Sequence, residues 1–327
     1  MLITEHAAII LLLALALDGF LGEPNWIWSR FPHPVVIMGY LITAIDKNFN
    51  CDRNPNWYNR LLGVIALTFW IFTAASFGMI ITLIWQFSDF LVLMTVEIIL
   101  VAILLSARSL YEHVDAVKLA FECTGLNGAR KAVSAIVGRN TLMLDDAAVC
   151  RAAIESTAEN FSDGVVAPTL WYLIAGLPGI LTYKIINTAD SMIGYRTSRY
   201  IFFGWAAARS DDIVNFVPAR LAAGLIIFTS IFTDFSGMNA LRSAWSDSRK
   251  HPSPNAGWPE SAMAGAIGLA LGGPRIYGKE QIRYQWINYV CRKSANPTDI
   301  TNALHIMVRA TFTMALFVAG FALLRLL

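Results

Sequence analysis

Residues 145–163 read DDAAVCRAAIESTAENFSD, and within them Glu155, Glu159 and Asp163 stand four apart. On a helix that spacing stacks three carboxylates along one face. Like charges so placed repel, so a bare helix gains nothing from them. A divalent cation or a cationic substrate removes the conflict, because a hard ion such as Mg2+ takes oxygen from one or two carboxylates together with phosphate. A solvated acidic face, eased by Arg151 one turn before Glu155, is the alternative, and spacing alone leaves both open. Asp163 and Gly164 are expected to end the helix.

Two further clusters follow. YKIINTADSMIGYR, residues 183–196, offers Lys184, Asn187, Asp190, Ser191 and Arg196 in a segment interrupted by glycine. FGWAAARSDDIVNFVPARL, residues 203–221, adds Arg209, Asp211, Asp212, Asn215 and Arg220. Paired acids followed by an amide and flanked by arginines suit metal and phosphate held together. Carboxylates take the ion, and guanidinium groups bind phosphate oxygens two at a time. Salt bridges anchoring helix ends would use the same residue types, but three clusters between Arg139 and Arg220 weigh against that plainer reading for the whole set. HPSPNAG at 251–257 and RFPHPVVIMG at 30–39 are proline-rich turns. They present His251, Asn255, Arg30 and His33 either to a ligand or only to the turn itself.

The elements that must position these groups belong to a membrane protein. The 327 residues are 56% hydrophobic and 15% charged, with a net charge of +2, and the mean hydropathy is +0.53. Soluble domains carry about 25% charged residues, and disorder needs low hydrophobicity and high net charge. Nothing in the charge balance calls for a nucleic acid. Cys51, Cys123, Cys150 and Cys291 are widely spaced, so neither a zinc site nor a disulfide framework is indicated. The N-terminal MLITEH lacks the basic region of a signal peptide, and the apolar run after it reads as a retained first membrane helix.

A span needs about 20 mostly apolar residues. The sequence therefore predicts an all-α, polytopic integral membrane protein with about four spans, near 7–21, 61–85, 90–107 and 304–324. The second and third pair through a short turn at 86–89. Glu97 lies inside the third, where a carboxylate is a functional candidate by default; interhelical packing is the competing reading. Stretches 165–183 and 221–233 are expected to be broken, re-entrant or partly buried helices, because Pro168, Gly176, Pro178 and Gly179 interrupt the first and the second is short. Residues 108–303 hold 19 of the 25 Lys and Arg, which by the positive-inside rule makes them a large cytoplasmic helical region and places both termini in the periplasm. The whole chain, 1–327, reads as one membrane-embedded catalytic domain with its site-bearing region at 108–303.

No Walker A loop, GxGxxG or HExxH is present. Several long motifs nevertheless resemble the CbiB/CobD family, the adenosylcobinamide-phosphate synthases of cobalamin biosynthesis. They are DGFLGEP (18–24), PHPVVIMG (32–39), IVGRNTLMLDDAAVCRAAIESTAENFSDGVVAPTLWY (136–172), YKIINTADSMIGYRTSRYIFFGWAAARSDDIVNFVPARL (183–221) and HPSPNAGWPESAMAGAIGLALGGP (251–274). Order and spacing agree over most of the chain. Glu23 and Asn140 depart from the pattern, where Asp would be expected at each.

The resemblance implies an inner-membrane ligase that joins the free propionate of adenosylcobyric acid to aminopropanol or its phosphate, using Mg2+ and ATP. It implies a catalytic group of Glu155, Glu159, Asn160, Asp163 and Asp190, and metal ligands among Glu155, Glu159, Asp163, Asp211 and Asp212. Substrate and phosphate fall to Arg139, Lys184, Asn187, Arg196, Arg209, Asn215, Arg220, His33, His251 and Asn255. Membrane lipid, other corrin-pathway enzymes and a second copy of the chain are the expected neighbours, and no nucleic acid. A carboxylate is a poor electrophile and needs activation, and the attacking ammonium must lose a proton before it is a nucleophile. A UbiA-like Mg2+-dependent polyprenyl transferase would use similar acid clusters, although its usual spacings are absent. A non-catalytic corrin-pathway scaffold would need the clusters for binding alone.

Overall fold

The computed structural model describes residues 6–51, 53–84, 90–277 and 280–326. The turn expected at 86–89 lies outside the described residues. The helices are α1 (Ala7–Leu21), α2 (Asn25–Trp28), α3 (Pro34–Phe49), α4 (Asn56–Ile84), α5 (Phe90–Leu104), α6 (Ala107–Val133) and α7 (Asp146–Phe161). A π-turn at Ser162–Val166 follows, then α8 (Ala167–Ile193), α9 (Trp205–Val214), α10 (Phe216–Ile231), α11 (Gly237–Asp247), α12 (Gly257–Ile267) and α13 (Pro297–Leu326). One antiparallel hairpin, β1 (Leu271–Tyr277) with β2 (Glu280–Ile287), is the exception to an all-α chain.

Four helical stretches are long and apolar enough to cross a membrane: Asn56–Ile84, Leu91–Val133, Asp146–Ile193 and Pro297–Leu324. They are not the four expected. Helix α1 has 15 residues, about 22 Å at the helical rise and short of the hydrocarbon core. Its place is taken by Asp146–Ile193, whose apolar window is 67% buried within protein, against 22% for that of Asn56–Ile84. The first figure describes a helix walled by other protein; the second leaves Phe69, Phe72, Phe77 and Ile80 exposed as a lipid-facing side would be.

The expected helix end at Asp163–Gly164 is not observed. Helical residues continue through the π-turn into α8, because a π-turn absorbs one extra residue without stopping the helix. The interruption expected over 165–183 falls at Ala175 and Gly176, the latter at φ 60°, ψ −149°. Only glycine adopts such a backbone without strain, and Pro178 then starts the next turn. Helices α9 and α10 are bent by 44° at Asn215, so the short stretch at 221–233 belongs to a broken pair.

By its contacts the chain falls into two compact units. Unit 1 comprises Met1–Ser106, Ala167–Asn215 and Val318–Leu327; unit 2 comprises Ala107–Val166 and Phe216–Phe317. In unit 1, Ile42, Leu67, Trp70, Ile185, Ile186, Ile193 and Phe203 form a core on which α3, α4, α8 and α9 pack. Unit 2 packs α10 and α11 on α12, and α7 on α6 and α12. Ile154, Phe161, Met263 and Leu269 are fully buried there.

Candidate functional site

In unit 2, Asp145 caps α7 by accepting from the Ala148 amide at 2.7 Å. Every residue of α7 from Ala152 to Ala158 is buried, and the helix then opens at Glu159 and Asn160, which are exposed. The three carboxylates four apart therefore differ in kind. Glu155 is buried, with Oε2 accepting from Arg139 Nη2 at 2.9 Å and Oε1 from the Gly272 amide at 2.8 Å. Arg139 is equally enclosed. Both oxygens are thus engaged by the protein, and Glu155 ties α7 to β1. Glu159 reaches the surface, and Asp163 lies half-buried in the π-turn. Asn160 Nδ2 donates to Ser156 O at 2.9 Å and to Ser156 Oγ at 3.0 Å. Asn140 Oδ1 accepts from the Leu142 amide at 3.0 Å, a turn role that Asn fills as well as Asp.

The proline-rich turn of unit 2 is held from two sides. Arg220 donates to Asn255 Oδ1 at 3.1 Å and stacks on the Phe216 ring at 3.6 Å. His251 Nδ1 accepts from the Ser253 amide at 3.1 Å, so the ring proton sits on Nε2, which faces Glu260 Oε1 at 3.6 Å. Glu260 is almost wholly buried. Gly257 permits this approach, since a Cβ there would stand 2.1 Å from Ser248 O and 2.8 Å from His251 Cβ. Sequence reasoning missed Glu260. Its only signal was an acid in the first turn of the helix after the turn, and its meeting with His251 depends on chain reversal.

In unit 1, α8 and α9 bring the other two clusters together. Asn187 Nδ2 donates to Asp211 Oδ1 at 3.2 Å, and Tyr183 OH donates to Asn215 Oδ1 at 3.0 Å. Arg209 lies 3.6 Å from Asp212 Oδ2, the arginine exposed and the carboxylate half-buried. Lys184 is buried, Asp190 half-buried and Arg196 exposed. His33 caps α3 by accepting from the Val35 amide at 3.3 Å and meets Trp28 edge-on at 4.5 Å between ring centres. Burial holds its imidazole below the ordinary value; Glu23 opposes that shift and Lys184 adds to it. Glu97 accepts from Tyr172 OH at 2.6 Å, the interhelical role. Asp46, unremarked in the sequence, takes Arg199 Nη2 at 2.7 Å and Asn50 Nδ2 at 2.8 Å.

Among the described residues, no three His, Cys, Asp or Glu side chains are placed to hold a metal ion. Glu155, Glu159 and Asp163 are thus not gathered around one ion, and the oxygens of Glu155 are already engaged. Mg2+ requires less, one or two carboxylates with phosphate and water completing its shell. Asp211 and Asp212 fit that demand, being adjacent, half-buried and flanked by Arg209.

The family model described as CobD/Cbib protein matches residues 11–307. The chain is 44% identical over 323 residues to a protein of Sinorhizobium sp named cobalamin biosynthesis protein CobD, covering 98% of this chain and 100% of that one. A protein of the same name from Brucella suis biovar 1 is 47% identical over 303 residues, covering 92% of each chain. One from Rhodobacter capsulatus is 41% identical over 317 residues, covering 97% and 98%. No solved structure matches.

Proposed function

The chain belongs to the CobD/Cbib protein family, and from that premise we propose that it is a membrane-bound cobalamin-biosynthetic ligase. Its reaction joins the free propionate of adenosylcobyric acid to aminopropanol or aminopropanol phosphate as an amide. ATP activates the carboxylate as an acyl phosphate with release of ADP, and the amine then displaces inorganic phosphate. Mg2+, when bound, neutralises phosphate charge, and Asp211 with Asp212 would hold it. Arg209 and Arg196 supply positive charge for phosphate oxygens. Asp190 is kept with this group because it belongs to the same helix as Lys184 and Asn187.

Glu159 accepts the proton that the attacking ammonium must release. The observation that carries this assignment is the abrupt opening of α7. In a helix enclosed from Ala152 to Ala158 and again at Phe161, the carboxylate of Glu159 and the amide of Asn160 alone reach the surface between. His251, 3.6 Å from the buried Glu260, packs against the turn bearing Asn255. The site-bearing residues face the cytoplasm of the inner membrane, so Asn160→Cys in a cysteine-free chain should react with a permeant maleimide and not with an impermeant one added to intact cells. Labelling by both would overturn that orientation.

The test is amide formation by purified protein supplied with adenosylcobyric acid, aminopropanol phosphate, ATP and Mg2+, with mass detection of the corrin product. Product should depend on ATP, and Glu159→Gln should lower the rate about 100-fold at an unchanged melting temperature. A wild-type rate retained by Glu159→Gln would remove this residue from the chemistry. Absence of product from both pure protein and crude membranes with intact substrates would remove the ligase reading.

A further inference from the structure

Helix α11 divides into three faces. Ala240 and Ala244 are buried, and α12 packs so closely there that a Cβ on Gly265 would come 2.3 Å from Asn239 O. A second arc carries Met238, Leu241 and Trp245, exposed by 59%, 46% and 79%. At a helical spacing of i, i+3 and i+7 the three form one stripe. Between these faces Asn239, Arg242 and Ser243 line a cavity of about 420 Å³, closed by Lys250, Asp247 and Tyr289.

The charge of that cavity is positive. The Asp247 carboxylate is taken up by Lys250 Nζ at 2.7 Å, Ser246 Oγ at 2.8 Å and the Asn288 amide at 2.6 Å. Arg242 is exposed and makes no ion pair among the described residues. Ser243 is 5% exposed, and its hydroxyl has no hydrogen-bond partner. A buried hydroxyl without a partner is unfavourable unless something fills the site. A guanidinium, an ammonium and a hydroxyl together recognise a phosphate. The lining offers no second carboxylate for the ammonium of a zwitterionic headgroup.

A soluble phosphate ester would use the cavity but have no use for the stripe beside it. A phospholipid uses both. Helices with large apolar residues on one side and Arg or Lys beside them lie in the membrane interface, where Trp is also favoured.

We propose that this cavity holds the phosphate of an anionic phospholipid headgroup, with Met238, Leu241 and Trp245 set in the acyl boundary of the same leaflet. The site is separate from the residues assigned to amide formation and does not depend on that assignment. Native mass spectrometry of the detergent-solubilised full chain, titrated with phosphatidylglycerol and with phosphatidylcholine, tests it. Phosphatidylglycerol should bind about tenfold more tightly, and Arg242→Gln, a change at an exposed side chain, should remove that preference. Trp245→Ala should weaken both lipids. Equal affinity for the two lipids, or an unchanged preference in Arg242→Gln, would overturn the proposal. Displacement of phosphatidylglycerol by ATP or by inorganic phosphate would replace the lipid with a soluble phosphate ester.

Discussion

On α7 the carboxylate of Glu155 is enclosed, with one oxygen on a buried guanidinium and the other on a backbone amide. On α9 Asp211 and Asp212 are half-buried; Asp211 accepts from the Asn187 amide group at 3.2 Å, and Asp212 lies 3.6 Å from the exposed Arg209. Both helices carry acid-rich motifs, yet the first encloses its acid to fix unit 2 and the second keeps its acids only half-buried. The difference is one of partner supply. A buried carboxylate is tolerable only when hydrogen-bonded and charge-paired, so Glu155 is committed as soon as α7 packs. An acid that keeps contact with water needs no such commitment and can still take an ion or a proton.

Stability separates the two helices most sharply. Glu155→Ala leaves Arg139 as an uncompensated buried charge and should destabilise unit 2 by about 3–5 kcal/mol. It should be read as loss of monodisperse protein or a large fall in melting temperature in detergent. A melting curve unchanged from wild type would show that the pair does not hold α7.

Tyr183→Phe in unit 1 removes one neutral donor from the buried Asn215 and should cost about 1–3 kcal/mol. It tests whether the bend between α9 and α10 depends on that bond, and a loss as large as that of Glu155→Ala would erase the contrast. Asp212→Asn should change stability by less than about 1 kcal/mol, because its arginine partner is solvated. The same substitution should raise the Mg2+ concentration needed for half-maximal activity. An unaltered Mg2+ requirement would take the α9 acids out of metal binding.

The smallest effect is one of pH. Burial lowers the His33 pKa, so as the pH falls below the ordinary imidazole range the unfolded chain takes up a proton that the folded chain refuses. Stability should therefore decline as the pH falls through the ordinary imidazole range. His33→Asn keeps a capping side chain and should flatten that decline; an equal decline in the variant would assign it to other groups.

The residues of the site were more legible than their relations. The spacing of Glu155, Glu159 and Asp163 on one helix treated as equivalent three side chains that the fold makes different. Arg220 was named for phosphate, and the fold gives its donors Phe216 O in its own helix, Asn255 Oδ1 and Pro254 O in the proline-rich turn. Asn187 was named from one motif and Asp211 and Asn215 from another, and α8 and α9 bring the two motifs within hydrogen-bond reach through Asn187 and Tyr183. Glu260 and Asp46 escaped notice because a lone acid in an apolar context carries no local pattern. Each finds its partner across a chain reversal.

The sequence by itself determined the solvent in which this protein folds, its helical class, its family and the stretches rich in polar motifs. Those are properties of composition and local order: long apolar runs cannot be dissolved, and motif residues keep their spacing in any conformation. Only the tertiary structure decided that α1 is too short to count as a span and that the helix runs on through Gly164. It alone decided which of three carboxylates is closed off and which is open. These depend on what each side chain meets when distant segments pack, and burial with its demand for partners is a property of the packed chain, not of the residue.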